Sequence, residues 1–192
     1  KIEAGVLLGY SDGTPLARTF DFLVEDRSKK AYHINEKRWD WDQTLYPVCP
    51  YDLYAPELKP KFYDKLGVPS DIGLKKAESC GGPSQDVDGT ASGGWFQGDS
   101  TTNKGKWLAI GKELKSAQLA IRENSMMGST LTDYNPKVLP DKLTPGNSVC
   151  YKGYQNDWAY LSLKSNTQLL MATGTGSCPA SFPESKAEAW ER

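Results

Sequence analysis

The chain has 192 residues, 38% hydrophobic and 24% charged, with 23 basic against 24 acidic side chains and a net charge of −1. That length supports one ordinary core or two small ones sharing an interface. The interspersed charges form no basic stripe of the kind a nucleic-acid surface needs, and no apolar run approaches the roughly 18 residues of a membrane helix. Six Trp and ten Tyr serve either as large core residues or as an aromatic binding face. The sequence opens on Lys1, which reads as a mature chain or a processed fragment.

In chain order, residues 5–9 read as a short buried strand bounded by glycines, and an Asp12-Gly13 turn follows. Residues 20–26 have the aromatic and β-branched content of a second strand, expected to pair with the first. Residues 27–45 are polar and irregular. In them Trp39-Asp40-Trp41-Asp42 alternates: a strand would put both rings on one face, a loop would expose them. Residues 56–66 form the best helix. Pro56 and Glu57 suit its first turn, Gly67 suits its C-cap, and Leu58, Phe62 and Leu66 recur at helical spacing as an apolar face.

Residues 67–105 are rich in glycine and read as loop, with Trp95-Phe96 as their apolar anchor. Strand patterns then recur at 107–110, 117–122, 129–132, 148–151, 158–163, 168–173 and 187–192, separated by turn residues. That spacing predicts an antiparallel meander closing into a small barrel or sandwich. The expected fold class is mainly β: an N-terminal strand pair and one short helix in residues 1–78, then a β-rich domain over residues 79–192. The stretch 46–96 is the joint between them.

Four cysteines contain no C-x-x-C pair, which argues against a zinc knuckle. Sequence order favours Cys49–Cys80 and Cys150–Cys178 among the three pairings. Each would close a loop of about 30 residues and stabilise by roughly 3–4 kcal/mol. Disulfides point to an oxidising compartment: extracellular, cell surface or periplasmic.

Chemistry-bearing patterns are sparse. His33 is the sole histidine, so neither a metal site nor a Ser-His-Asp triad finds its parts, and no cofactor motif occurs. The glycines around Lys106 lack P-loop spacing, and no G-x-S-x-G is present. Asp86-x-Asp88-Gly89 reads as a capped turn and not as a calcium loop. Asp86 and Asp88 are nevertheless the carboxylates to examine for glycan hydrolysis. Met126-Met127 reads as core filling. Trp39, Trp41, Trp95 and Phe96 are the expected ligand- or partner-binding aromatics.

Two segments carry a resemblance. Residues 1–10 and 19–24 resemble the closing strands of a lysostaphin-type zinc endopeptidase domain. In that family a His-x-His zinc motif falls where this chain has Thr19 and Asp21. The resemblance therefore implies a truncated relative without the metal or the catalytic base. Residues 49–59, 80–96 and 187–192 resemble uncharacterised bacterial secreted proteins that carry such a degenerate region before a β-rich domain. This chain departs from them at Pro83-Ser84 and at Trp190-Glu191-Arg192. That likeness implies a bacterial exported protein and leaves its function open.

Three functional expectations follow. The leading one is a non-enzymatic exported protein that binds a protein or glycan partner of the cell envelope, as part of a surface or periplasmic assembly. The second is an envelope glycan or peptidoglycan hydrolase with a carboxylate in the Gly-rich loop. The third is a small-ligand carrier with an open barrel lined by Leu108, Ile110, Leu119, Leu161 and Leu169.

Overall fold

The computed structural model describes residues 3, 6–7, 23–70, 73–76, 84–113, 116–124 and 126–192. All seven strand patterns of the C-terminal part form strands, numbered here in chain order with the shorter ones before them. Strands β1 (Val24–Glu25) and β2 (Pro47–Val48) pair with each other, as do β3 (Gly67–Ser70) and β4 (Gly73–Lys76). The helix α1 (Asp42–Leu45) precedes β2, and α2 (Lys59–Tyr63) precedes β3.

The main sheet contains β5 (Gly93–Phe96), β6 (Lys106–Glu113), β7 (Ser116–Glu123), β8 (Met126–Asp133), β9 (Ser148–Lys152), β10 (Asp157–Ser165), β11 (Gln168–Thr175) and β12 (Glu188–Glu191). Its order is β8-β7-β6-β5-β12-β11-β10-β9, antiparallel throughout. The sheet coils until its edge strands β8 and β9 lie against each other, giving a nearly closed barrel. There the Asp133 carboxylate accepts the Lys152 backbone N–H at 3.0 Å, stitching the end of β8 to β9.

Period-two alternation builds the interior. Leu108 and Ile110, Leu119, Val149 and Tyr151, Leu161 and Leu163, Leu169 and Met171 all enter one buried cluster, with Trp95 and Trp190 at its centre. β5 falls in a stretch whose glycines read as loop. Its four residues are fully buried because β6 and β12 flank them. Burial and ladder bonds overrode the weak local propensity of Gly-Gly-Trp-Phe.

Several expectations change. The helix over 56–66 contracts to Lys59–Tyr63, with Pro60 in its first turn and backbone turns from Ala55 to Leu58 before it. Leu58 and Phe62 do not face the core: they are 40% and 37% exposed, and Phe62 stacks on Tyr54 at 4.3 Å in a separate aromatic group with Tyr51. Met126 and Met127 lie on the edge strand β8 at 73% and 54% exposure and fill no core. Of the strand expected over 20–26, Val24–Glu25 forms a strand paired with β2, and residues 20–22 lie outside the described residues. Its expected partner over 5–9 lies, apart from Val6 and Leu7, outside the described residues, as do Thr19, Asp21 and the boundary between residues 78 and 79. No helix among the described residues is long and apolar enough to cross a membrane.

Candidate functional site: a tyrosine-lined cleft beside a disulfide

Three of the four aromatics expected to bind a ligand, Trp39, Trp95 and Phe96, pack into the joint and the barrel. Trp95 and Phe96 have no exposed surface. Residues 39–41 form a loop that leads into α1, yet Trp39 turns inward. It stacks on His33 at 3.8 Å and meets Phe96 and Trp107 edge-on at 5.9 and 5.7 Å. Gly94 makes room for it, because a Cβ there would lie 2.3 Å from the Trp39 ring. Trp41 is half-buried at the start of α1.

Asp86 belongs to the same joint. Its side chain is 2% exposed and accepts the backbone N–H groups of Ile34 at 2.8 Å and Gly94 at 2.7 Å. Gly93, at φ +127, leaves space for its Oδ1. His33 Nε2 donates to the Thr44 carbonyl at 2.9 Å, since a carbonyl can only accept. That leaves Nδ1 facing Asp86 Oδ2 at 3.7 Å, beyond hydrogen-bond length. The Asp86 carboxylate is thus turned away from solvent and held by two backbone donors. Asp88 is exposed and accepts the Tyr32 hydroxyl at 3.0 Å, which raises the tyrosine's pKa.

A further contact fastens residues 24–63 to the barrel, and another holds the end of the chain to it. Asp40 accepts hydrogen bonds from the Thr101 and Thr102 hydroxyls and the Asn103 N–H. Burial pushes its pKa up, but those donors outweigh it and hold the carboxyl below its ordinary 3.8. Arg192 donates to the carbonyls of Thr90, Ser92 and Asn166 and lies 4.2 Å over the Trp95 ring. Among the described residues no group of three His, Cys, Asp or Glu is placed to hold a metal ion. The side chains expected to line a carrier's cavity, Leu108, Ile110, Leu119, Leu161 and Leu169, are at most 3% exposed and sit in the packed core.

An open cleft of about 860 Å³ lies elsewhere, on the outer side of β9 and β10. Val149 and Tyr151 point into the barrel, so Cys150 between them points out. It bonds to Cys178, whose segment follows β11, and this disulfide fixes one wall. Cys49 is also disulfide-bonded; Cys80, its expected partner, lies outside the described residues. Residues 134–137, leaving β8, form the opposite wall. Asp133 anchors that wall by accepting the Asn135 N–H at 2.9 Å as well as the Lys152 N–H. The 153–156 turn closes the end. It is held by Gly153 N–H to the Asp157 carbonyl and by Gly176 N–H to the Asn156 carbonyl.

Three tyrosines line the cleft. Tyr134 and Tyr154 are 71% and 72% exposed, and Tyr160 is half-buried with its ring edge-on to Phe182 at 5.5 Å. Lys137, Lys152, Asn135 and Ser177 supply polar groups. Its size falls within the range usual for small-ligand sites. The sequence reading singled out none of these residues. Their signal was an aromatic placed inside a turn, in Asp133-Tyr134-Asn135-Pro136-Lys137 and Gly153-Tyr154-Gln155-Asn156-Asp157, on either side of Cys150. No protein-family model matches the chain, and no curated protein or solved structure does either, so the functional reading rests on this geometry.

Proposed function

We propose that this is a non-enzymatic exported protein that binds a ligand or partner of the bacterial cell envelope through the tyrosine-lined cleft. The observation that carries the proposal is the pairing of two largely exposed tyrosines with a wall pinned by Cys150–Cys178. Large exposed aromatic rings on a fixed wall are a favourable contact surface with little ordering left to do on binding. The disulfide supports an oxidising compartment. The buried, backbone-bound state of Asp86 favours binding over hydrolysis.

The test is an array of immobilised neutral oligosaccharides, acidic oligosaccharides and short peptides, read with wild type and with Y134A/Y154A. Neither tyrosine is buried, so the pair of substitutions leaves the fold intact, to within about 0.5 kcal/mol for each. A class of ligand retained by wild type and lost by the double variant is expected. Retention of nothing, or equal retention by both proteins, overturns the proposal.

A further inference from the structure

The charge around the cleft narrows the ligand class, and this step rests on the reading just given. Three charged residues line the cleft: Asp133, Lys137 and Lys152. Asp133 is 9% exposed, and its two oxygens are occupied by the backbone N–H groups of Asn135 and Lys152. Its acceptor capacity is turned toward the seam of the barrel. Lys137 and Lys152 are exposed, and neither side chain has an ion-pair or hydrogen-bond partner among the described residues. Lys104, Lys106, Lys112 and Lys164 each meet a carboxylate, while Lys37, Lys142 and Lys186 meet none among the described residues, so what sets Lys137 and Lys152 apart is their place together in one cleft. A chain of net charge −1 therefore presents two exposed cations and one buried carboxylate at this cleft, a local excess of positive charge.

We infer that the cleft takes an acidic glycan, with sugar rings against the exposed tyrosines and carboxylates on Lys137 and Lys152. The C–H face of a pyranose ring packs on the electron-rich face of a phenol ring. Hydroxyl groups of a sugar match the Asn135 amide and the Ser148 and Ser177 hydroxyls along the cleft. An anionic substituent matches the lysines, and a charge-assisted hydrogen bond is about twice as strong as a neutral one. An acidic peptide would also meet the lysines, but it gives the paired tyrosines no ring to pack against. The open shape of the cleft and its exposed lysines suit a polar ligand better than a lipid.

Calorimetric titration separates these cases with three probes: an oligogalacturonate, a cello-oligosaccharide of the same length and poly-glutamate. The oligogalacturonate should bind at least roughly tenfold tighter than either of the others, a difference of about 1.4 kcal/mol. Its affinity should fall as salt screens the exposed lysines. Lys137→Gln and Lys152→Gln should each weaken it several-fold without affecting the cello-oligosaccharide, and Y134A/Y154A should weaken both sugars. Equal binding of the neutral sugar overturns the acidic assignment and leaves the cleft as the binding site. Poly-glutamate binding as tightly as the oligogalacturonate overturns the glycan. Absence of oligogalacturonate binding overturns the inference, while the array decides the broader reading separately. Oligogalacturonate binding that Y134A/Y154A leaves unchanged overturns both.

Discussion

Replacing Asp86 with Asn keeps its shape and removes its charge. The side chain now faces two backbone N–H donors, from Ile34 and Gly94, with one acceptor oxygen and one donor NH₂. One N–H must then meet another donor in a buried site, and a hydrogen bond to a charged group is lost. Asp86→Asn should lower stability by about 2–3 kcal/mol, read as a fall in the urea midpoint with an unchanged slope. A midpoint equal to wild type would mean that Asp86 does not fasten residues 24–63 to the barrel. This residue also shows where sequence reading stops. Asp86 beside Gln85 in a Gly-rich stretch looks the same whether it is a reagent or a fastener. The difference lies in Ile34, 52 positions away in the chain, and in Gly93, whose lack of a Cβ admits the carboxylate. The cleft tyrosines were obscured for a similar reason. Tyr134 and Tyr154 are far apart in sequence, and the β8–β9 seam, where Asp133 accepts the Lys152 N–H, brings their turns to one cleft.

At the scale of elements, the strands of the meander were legible because each alternates inward apolar with outward residues and ends in a turn. β10 is the clearest case, with Ala159, Leu161 and Leu163 inside. β5 was not legible. Its two glycines carry no pattern, and its strand state comes from neighbours at both sides. The same limit produced the overlong helix: Leu58 and Phe62 have helical spacing, but their partners are Tyr51 and Tyr54 in a local aromatic group, not the barrel core. The Cys150–Cys178 bond acts at this scale as well. It spans 28 positions and ties the segment after β11 to the outer face of β9. In the chain-entropy account a loop of that length contributes about 3–4 kcal/mol. Cys150→Ser with Cys178→Ser should therefore lower the unfolding free energy by that amount, read as a fall in the urea midpoint. It should also weaken cleft binding beyond the loss of stability, because the 177–180 wall is released. A double variant with wild-type stability and wild-type binding would show that the disulfide neither stabilises the barrel nor shapes the cleft.

At the scale of the molecule, the nearly closed β barrel surrounds a packed core, and the cleft proposed as the binding site lies on its outside. The interior is filled by Trp95, Trp190, Tyr151 and their aliphatic neighbours. Burial raises the pKa of the Tyr151 hydroxyl, with Asp133 and Asp141 adding to the effect, so that group stays neutral across the physiological range. Residues 24–63 cover another side, through Trp39, Asp40, Asp86 and Arg38, whose guanidinium donates to the Ser100 carbonyl. The cleft beside the disulfide is left facing solvent with its tyrosines exposed and its lysines unpaired. The direct measurement is a map of backbone amide shifts on adding oligogalacturonate to the isotopically labelled protein. The account predicts perturbations concentrated at residues 134–137, 148–154 and 177–180, with the Asp86 and Trp95 amides unmoved. Perturbations centred on residues 33–41 and 84–96, or no perturbation at the cleft, would contradict it.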